Sequence, residues 1–213
     1  MGHLSQLKMY WFASGPLEEL TLPEGYAYSH FSEKTRDRDI HDWNECIRTW
    51  TESDETDEQR FKQEIYDFHD IVPEEDVWFL DFKGEHIGTA TSFVHKNTGA
   101  GDMHWVGIKA EYRGKGLAKY LSYIVQKTLR DRGVPYVSLI TGEGRVAAVK
   151  SYLTAGFLPV EYAEGMVSRW EAVLETYGID RIQMLYEDAS PYRIITRTGL
   201  KPAGKENGGN DRV

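Results

Sequence analysis

Residues 105–121 constrain the fold more than any other part of the sequence. An apolar run, MHWVGI, leads into the glycine-rich residues EYRGKG, and a helical pattern begins at Leu117. Gly114 and Gly116 allow consecutive backbone N–H groups to turn towards one point, where the positive end of the helix dipole also lies. We therefore predict a strand, an anion-binding turn and a helix, in that order.

Two cations in this turn, Arg113 and Lys115, suit a pyrophosphate better than a carboxylate. Two other phosphate-binding motifs do not match the residues of this turn. A Walker loop needs Ser or Thr after its Lys, but Gly116 follows Lys115, and the dinucleotide fingerprint needs a third glycine where Lys119 stands. An ordinary tight connection between a strand and a helix is the alternative that this pattern leaves open.

Hydrophobic periodicity predicts the elements on either side of the turn. Period-two patterns predict strands at residues 26–31, 77–82, 86–94, 103–108, 136–140 and 158–162, with a further strand at 181–186. Spacings of three and four predict helices at residues 39–50, 60–68, 117–132, 145–155 and 167–177. The strand, helix and strand between residues 104 and 140 imply a parallel pair with a right-handed crossover.

Length and composition exclude several classes of protein. The 213 residues suit one domain, which we assign to residues 1–178 with a core of about 24–165, followed by an extension at 179–213 with a disordered tail. The net charge of −9 disfavours a nucleic-acid partner, and no apolar run has the length of a membrane span. The single cysteine, Cys46, and the absence of a signal-peptide pattern favour a cytoplasmic location.

The residues of this turn resemble the GNAT superfamily of acyl-CoA N-acyltransferases. Its signature is Arg or Gln, two residues, Gly, one residue, then Gly or Ala, and Arg113, Gly116 and Ala118 match it. The resemblance implies an α/β (α+β) fold with a mixed, mostly antiparallel central sheet, a splayed parallel strand pair and helices on both faces. It also implies acetyl-CoA as co-substrate. The residues that would hold it, by their backbone or charge, are Val106, Ile108, Arg113, Gly114, Lys115, Gly116, Leu117 and Ala118.

A second stretch is similar to another element of this family. Members often carry Asn-x-x-Ala, then Leu-Tyr, three residues and Gly-Phe; Ala148, Tyr152 and Gly156-Phe157 occupy those places. Arg145 and Ser151 replace the Asn and the Leu. The resemblance implies that Tyr152 protonates the departing CoA thiolate, and the alternative is that its ring only packs beside Phe157.

A group that takes a proton from the acceptor amine is expected near the end of the strand that precedes the turn. Strict alternation would place residues 102, 104, 106 and 108 on one face, so Asp102 and His104 are the candidates. In some members a catalytic carboxylate stands where Asp102 does. A solvated acid and a hydrogen-bonded surface histidine are the alternatives, and Glu143 is a weaker third candidate. No residue is assigned to a metal.

The resemblance implies transfer of an acetyl group to a primary amine by direct attack. In the family, the connection between the first two helices borders the acceptor site, so its carboxylates at residues 52–58 would attract a small cationic amine. A solvated, charged loop is the alternative for this segment. A non-catalytic acyl-CoA sensor is the alternative for the whole chain, and the residues after 165 could mediate homodimer formation.

Overall fold

A computed structural model describes residues 6–48 and 55–197. These residues form two compact units, one ending at Leu158 and one beginning at Pro159. The junction between the two units lies nearer to residue 165, the predicted end of the core, than to residue 178, the predicted end of the domain. The domain boundaries stay a prediction. Trp50, Glu52, Asp54 and the tail at residues 202–213 lie outside the described residues.

The first unit is built on a six-stranded sheet with the order β2-β3-β4-β5-β6-β1. All neighbouring strands pair antiparallel except β5 and β6, which pair in parallel. The predicted mixed, mostly antiparallel sheet is therefore confirmed. The strands are β1 (Leu7–Phe12), β2 (Tyr26–His30), β3 (Val77–Phe82), β4 (Glu85–Val94), β5 (Gly101–Ile108) and β6 (Tyr136–Thr141).

Helices cover both faces of this sheet. A Cβ atom added to Gly107 would meet the backbone of Cys46 in the first helix, whereas one added to Gly88 would meet Leu121 in the fourth. Gly107 and Gly88 lie one register step apart across β4 and β5, so the two helices pack on opposite faces. The helices of this unit are α1 (Arg36–Ile47), α2 (Asp57–Phe61), α3 (Pro73–Asp76), α4 (Ala118–Asp131) and α5 (Val146–Thr154).

Strands β5 and β6 separate soon after they meet. Their parallel register contains two pairs, Gly101 with Val137 and Asp102 with Ser138. Beyond Asp102, the edge of β5 that faces β6 carries backbone groups with no partner on β6, while the other edge of β6 pairs with β1 along its whole length. The splayed strand pair that the family resemblance implies is present.

A bulge in β5 interrupts the alternation of side chains that was expected for this strand. Thr91 pairs with His104 and Thr89 with Gly107, so three residue steps on β5 face two on β4. The irregularity coincides with Trp105, whose φ of 44° is unusual for a bulky side chain. Asp102 and His104 consequently lie on the α1 face, whereas Ile108 lies beside Leu121 on the α4 face. The expectation that residues 102, 104, 106 and 108 share one face was wrong.

Two strands were missed in the sequence. Strand β1 has no alternating pattern because Met9, Tyr10 and Trp11 are all buried. The second unit contains β7 (Leu158–Glu161), α6 (Met166–Tyr177), β8 (Arg181–Tyr186) and β9 (Pro191–Thr196), the last also unpredicted. Strand β7 pairs parallel with β8, and β8 pairs antiparallel with β9. No described helix has both the length and the hydrophobicity needed to cross a bilayer.

Candidate active site

The glycine turn, residues 113–118, connects the end of β5 to the start of α4. Gly114 and Gly116 have φ angles of 72° and 71°, a left-handed region that only glycine enters without strain. A Cβ atom at either position would meet nothing within 4 Å, so the turn is open to a ligand. Among the described residues, none accepts a hydrogen bond from the backbone N–H groups of residues 114–119. The turn thus presents donors together with the positive end of α4.

Charged side chains of the turn have separate roles. Arg113 Nε donates to the carbonyl of Ile108 at 2.7 Å, which ties the turn to the end of β5. Lys115 Nζ lies 4.8 Å from the centre of the Tyr112 ring. Arg113 therefore fixes the geometry of the turn, while Lys115 adds positive charge on its exposed side.

Tyr152 lies on α5, half-buried, with its ring edge-on to that of Phe157 at 5.9 Å. Burial raises the pKa of Tyr152 to about 12, although the nearby charge of Arg145 opposes the shift. The phenol is therefore fully protonated at neutral pH. Both the packing and the proton-donor interpretation of Tyr152 are compatible with this position.

Asp102 is engaged by two neighbours. Ser138 Oγ donates to its Oδ2 at 2.7 Å, and His95 Nε2 lies 3.2 Å from the same oxygen. This hydrogen bond to Asp102 is the main reason that the pKa of His95 is raised. Asp102 thus links β5 to β6 at the last pair before the strands separate.

His104 lies in an aromatic group with Phe68, Phe93 and Trp105, with ring centres 5.4 to 6.1 Å apart. Its Nε2 atom is buried and has no hydrogen-bond partner among the described residues. Burial lowers the pKa of His104, and the charge of Asp102 opposes the shift. The imidazole is therefore neutral at pH 7.

Sequence reasoning missed Glu64, which belongs to a π-helical turn at Lys62–Tyr66 that continues α2. Trp105 Nε1 donates to Glu64 Oε2 at 3.1 Å, and His104 Nε2 lies 4.0 Å from the same oxygen. Burial raises the pKa of Glu64, and the hydrogen bond from Trp105 opposes the shift. We refer to Glu64, His104 and Trp105 as the Glu64 corner. No local pattern marks Glu64, because its partners lie about 40 residues further along the chain.

The other sequence candidates lie apart from this corner. Within the described residues, no hydrogen bond or ring contact joins Tyr152 to it, and Glu143 is exposed in the loop after β6. The described carboxylates of the acidic connection have neighbours of basic residue types: Asp57 with His41, Glu58 with Arg36 and Glu55 with Arg60. Such pairs are typical of a solvated charged surface. No group of three potential metal ligands occurs within the described ranges.

A model of the Acetyltransferase (GNAT) family matches residues 38–157, which include the Glu64 corner, the glycine turn and Tyr152. The chain belongs to the GNAT acetyltransferase family. A mycothiol acetyltransferase of Thermobispora bispora is 34% identical over 96 residues, covering 39% of this chain and 32% of that protein. N-acetyltransferase 8 of Rattus norvegicus is 30% identical over 84 residues, covering 38% of each. The chain thus spans less than two fifths of these GNAT relatives.

Solved structures of GNAT proteins have the same fold. A GCN5-related N-acetyltransferase from Sphaerobacter thermophilus superposes with a TM-score of 0.57 at 20% identity, covering 74% of this chain and 50% of that one. A GNAT acetyltransferase from Colwellia psychrerythraea gives 0.53 at 14% identity, covering 72% of this chain and 53% of that one. These similarities concern the fold alone.

Proposed function

We propose that the protein transfers an acetyl group from acetyl-CoA to a primary amine, specifically a small cationic amine. The observation that carries the proposal is the glycine turn, with N–H groups that donate to no described residue, two open glycines and the start of α4. A pyrophosphate needs several donors that converge with positive charge, and this turn supplies both. Membership of the GNAT family supports acetyl-CoA as the donor.

Each part of the site has a proposed task. The N–H groups of residues 114–118 bind the pyrophosphate, and Arg113 holds the turn against β5. The edge of β5 at Val106 and Ile108, which has no partner on β6, offers backbone groups to the amide-containing pantetheine arm and the thioester carbonyl, although the Ile108 carbonyl already accepts a hydrogen bond from Arg113 Nε. Tyr152 gives a proton to the departing thiolate, which its raised pKa permits throughout the neutral range. Asp102 and His104 stay candidates for proton transfer from the amine.

The substrate class follows from charge. The chain has a net charge of −9, and Glu64 adds a partly exposed carboxylate beside β5. A cationic amine is attracted by both. A cytoplasmic location and a homodimer are further proposals, which fractionation and sedimentation would test.

Acetyl-CoA binding by calorimetry tests the proposed donor site. Gly116→Val should weaken binding at least a hundredfold, because a β-branched side chain at a φ of 71° distorts the turn. Gly133→Val is the matched control: Gly133 has a φ of 79° and equally open surroundings, but lies at the other end of α4. Equal binding by both variants would contradict the assignment of the glycine turn.

Thiol release with amine acceptors tests the transfer itself. We expect free CoA to appear with at least one of spermidine, ethanolamine, tyramine, L-lysine and glucosamine, and a cationic diamine or polyamine should react best. Tight acetyl-CoA binding without turnover on the whole panel would favour the acyl-CoA sensor instead. Retention of the protein on heparin at moderate salt would point to a nucleic-acid acceptor.

A further inference from the structure

Three unusual local structures meet at the Glu64 corner. Glu64 lies in a π-helical turn, Trp105 has a φ of 44°, and His104 Nε2 is buried with no partner in the part of the chain that the structure describes. Strained backbone and unsatisfied buried groups destabilise a fold, and they persist mainly where function requires them. Their convergence within 4.0 Å of one carboxylate oxygen indicates that the corner does more than stabilise the fold.

The carboxylate of Glu64 is oriented but not fully occupied. Trp105 holds Oε2, and His104 lies beside the same oxygen. Among the described residues, none donates to Oε1, and the Glu64 side chain is 32% exposed. One oxygen is therefore fixed by the protein, while the other is available to a ligand that arrives from solvent.

The Glu64 corner lies beside the segment of β5 that is proposed to bind acetyl-CoA. Trp105 immediately precedes Val106, on the stretch where β5 has separated from β6. The bulge at Trp105 places the Trp105 side chain beside that of His104, towards the π-helical turn that carries Glu64. An acceptor bound at Glu64 would thus lie next to the part of β5 that offers free backbone groups.

Resting on the acetyl transfer proposed above, we propose that Glu64 is a catalytic residue whose Oε1 binds the ammonium group of the acceptor and takes its proton. Trp105 is the positioning residue for this carboxylate. The cationic amine is thereby recognised and activated by the same side chain.

The step balances as follows. One ammonium N–H bond breaks, its proton goes to Glu64 Oε1, and the electron pair stays on nitrogen. That pair forms the C–N bond to the thioester carbon, the C–S bond breaks, and the thiolate takes the Tyr152 proton. The nitrogen loses its second surplus proton to the Tyr152 phenolate through solvent. Glu64 then returns its proton to water, so each turnover releases one proton.

Glu64 suits this task better than the two candidates chosen from the sequence. Asp102 already accepts hydrogen bonds from Ser138 and His95, and His104 Nε2 is closed to solvent. Burial raises the pKa of Glu64 towards neutrality, which makes it a stronger base than an exposed carboxylate. The charge of Glu55 acts in the same direction, while the Trp105 hydrogen bond and Arg60 oppose it. His104 faces the carboxylate as a neutral ring.

Glu64→Gln tests the proposal, with Asp67→Asn as the matched control. Asp67 lies three residues away and pairs with Lys62 at 2.7 Å, so its variant also removes one carboxylate. For the best acceptor of the panel, Glu64→Gln should lower kcat by about 10²–10⁴-fold, the usual contribution of a general base. Acetyl-CoA affinity should not change, and Asp67→Asn should keep wild-type kcat. A Glu64→Gln kcat within threefold of wild type overturns the proposal and leaves the acetyl transfer intact.

Trp105→Phe tests whether Trp105 positions the Glu64 carboxylate. It also replaces Glu64→Gln as the test of the proposal if that variant does not fold. Activity requires the ionised carboxylate, so it falls as the pH drops through the pKa of Glu64. The indole N–H lowers that pKa, hence its removal should shift the acidic limb of the kcat profile to higher pH. An unchanged limb overturns the proposal. Loss of acetyl-CoA binding or of all turnover by the wild type would instead overturn the proposed function.

Discussion

The glycine turn and the Glu64 corner are built in different ways. The turn is a continuous segment in which backbone N–H groups, two glycines and a helix start provide the chemistry. The corner joins side chains from the π-helical turn after α2 and from β5, about 40 residues apart, through one hydrogen bond and one ring cluster. Backbone chemistry depends on local conformation, whereas side-chain chemistry between elements depends on how those elements pack.

This difference explains which half of the reaction the sequence describes. A phosphate-binding turn must keep its glycines at fixed spacing, since other residues cannot adopt the required φ. A carboxylate that receives a proton can stand on any element that reaches the site, so its position leaves no local pattern. The proposed donor half of the site is therefore predictable from a short motif, and the proposed acceptor half is not.

Tyr152 has properties of both regions, and its variant gives the largest expected effect after Glu64→Gln. It lies in a recognisable motif, yet its proposed task is side-chain chemistry. Tyr152→Phe should lower kcat by about 10²–10³-fold, because the thiolate loses its proton donor, while acetyl-CoA affinity stays unchanged. Since the pKa is about 12, deprotonation of Tyr152 should cause no loss of wild-type activity up to pH 10.

Tyr136→Phe serves as the control for removal of a phenolic oxygen. Tyr136 lies on β6 with its ring 4.6 Å from that of Tyr10, and its variant should keep wild-type kcat. If Tyr152→Phe also kept wild-type kcat, Tyr152 would only pack against Phe157. The motif would then describe the fold and not the chemistry.

Most elements of the first unit were predictable because their burial is periodic. Helix α4 buries Leu121, Val125 and Leu129 on one face, and the predicted range of 117–132 differs from the observed ends by one residue. Strand β1 was missed because consecutive residues are buried. The expectation that residues 102, 104, 106 and 108 share one face of β5 was wrong for another reason. Alternation assumes a regular strand, and the bulge at Trp105 adds one residue that only the pairing with β4 reveals.

Gly107 shows how closely the bulged strand approaches α1, and it gives the next largest effect. A Cβ atom there would lie 2.5 Å from the carbonyl oxygen of Cys46, so β5 and α1 would have to separate. Gly107→Ala should therefore destabilise the protein by about 2–3 kcal/mol. Thermal unfolding should show a drop of about 4–12 °C, at roughly 2–4 °C per kcal/mol for a chain of this size.

Gly142→Ala is the control for this substitution. Gly142 has no atom within 4 Å of an added Cβ and no positive φ. Its variant should be neutral or more stable by about 0.4–1 kcal/mol, because alanine restricts the unfolded chain. Equal stability of the two variants would show that α1 does not fix the bulge, and the corner would then need another support.

The smallest expected effect comes from the protonation of His104. Its measurement tests whether the His104 imidazole in the Glu64 corner is neutral. Burial lowers the pKa of His104, so below about pH 6.5 the unfolded chain binds this proton more readily than the folded protein. Wild-type stability should therefore decline from about pH 6.5 towards the folded pKa, and His104→Gln should reduce that decline.

Urea unfolding at a series of pH values measures the difference. A curve for His104→Gln parallel to that of the wild type would mean that this ring accepts a proton inside the fold, and Glu64 would then face a cation that competes with the amine.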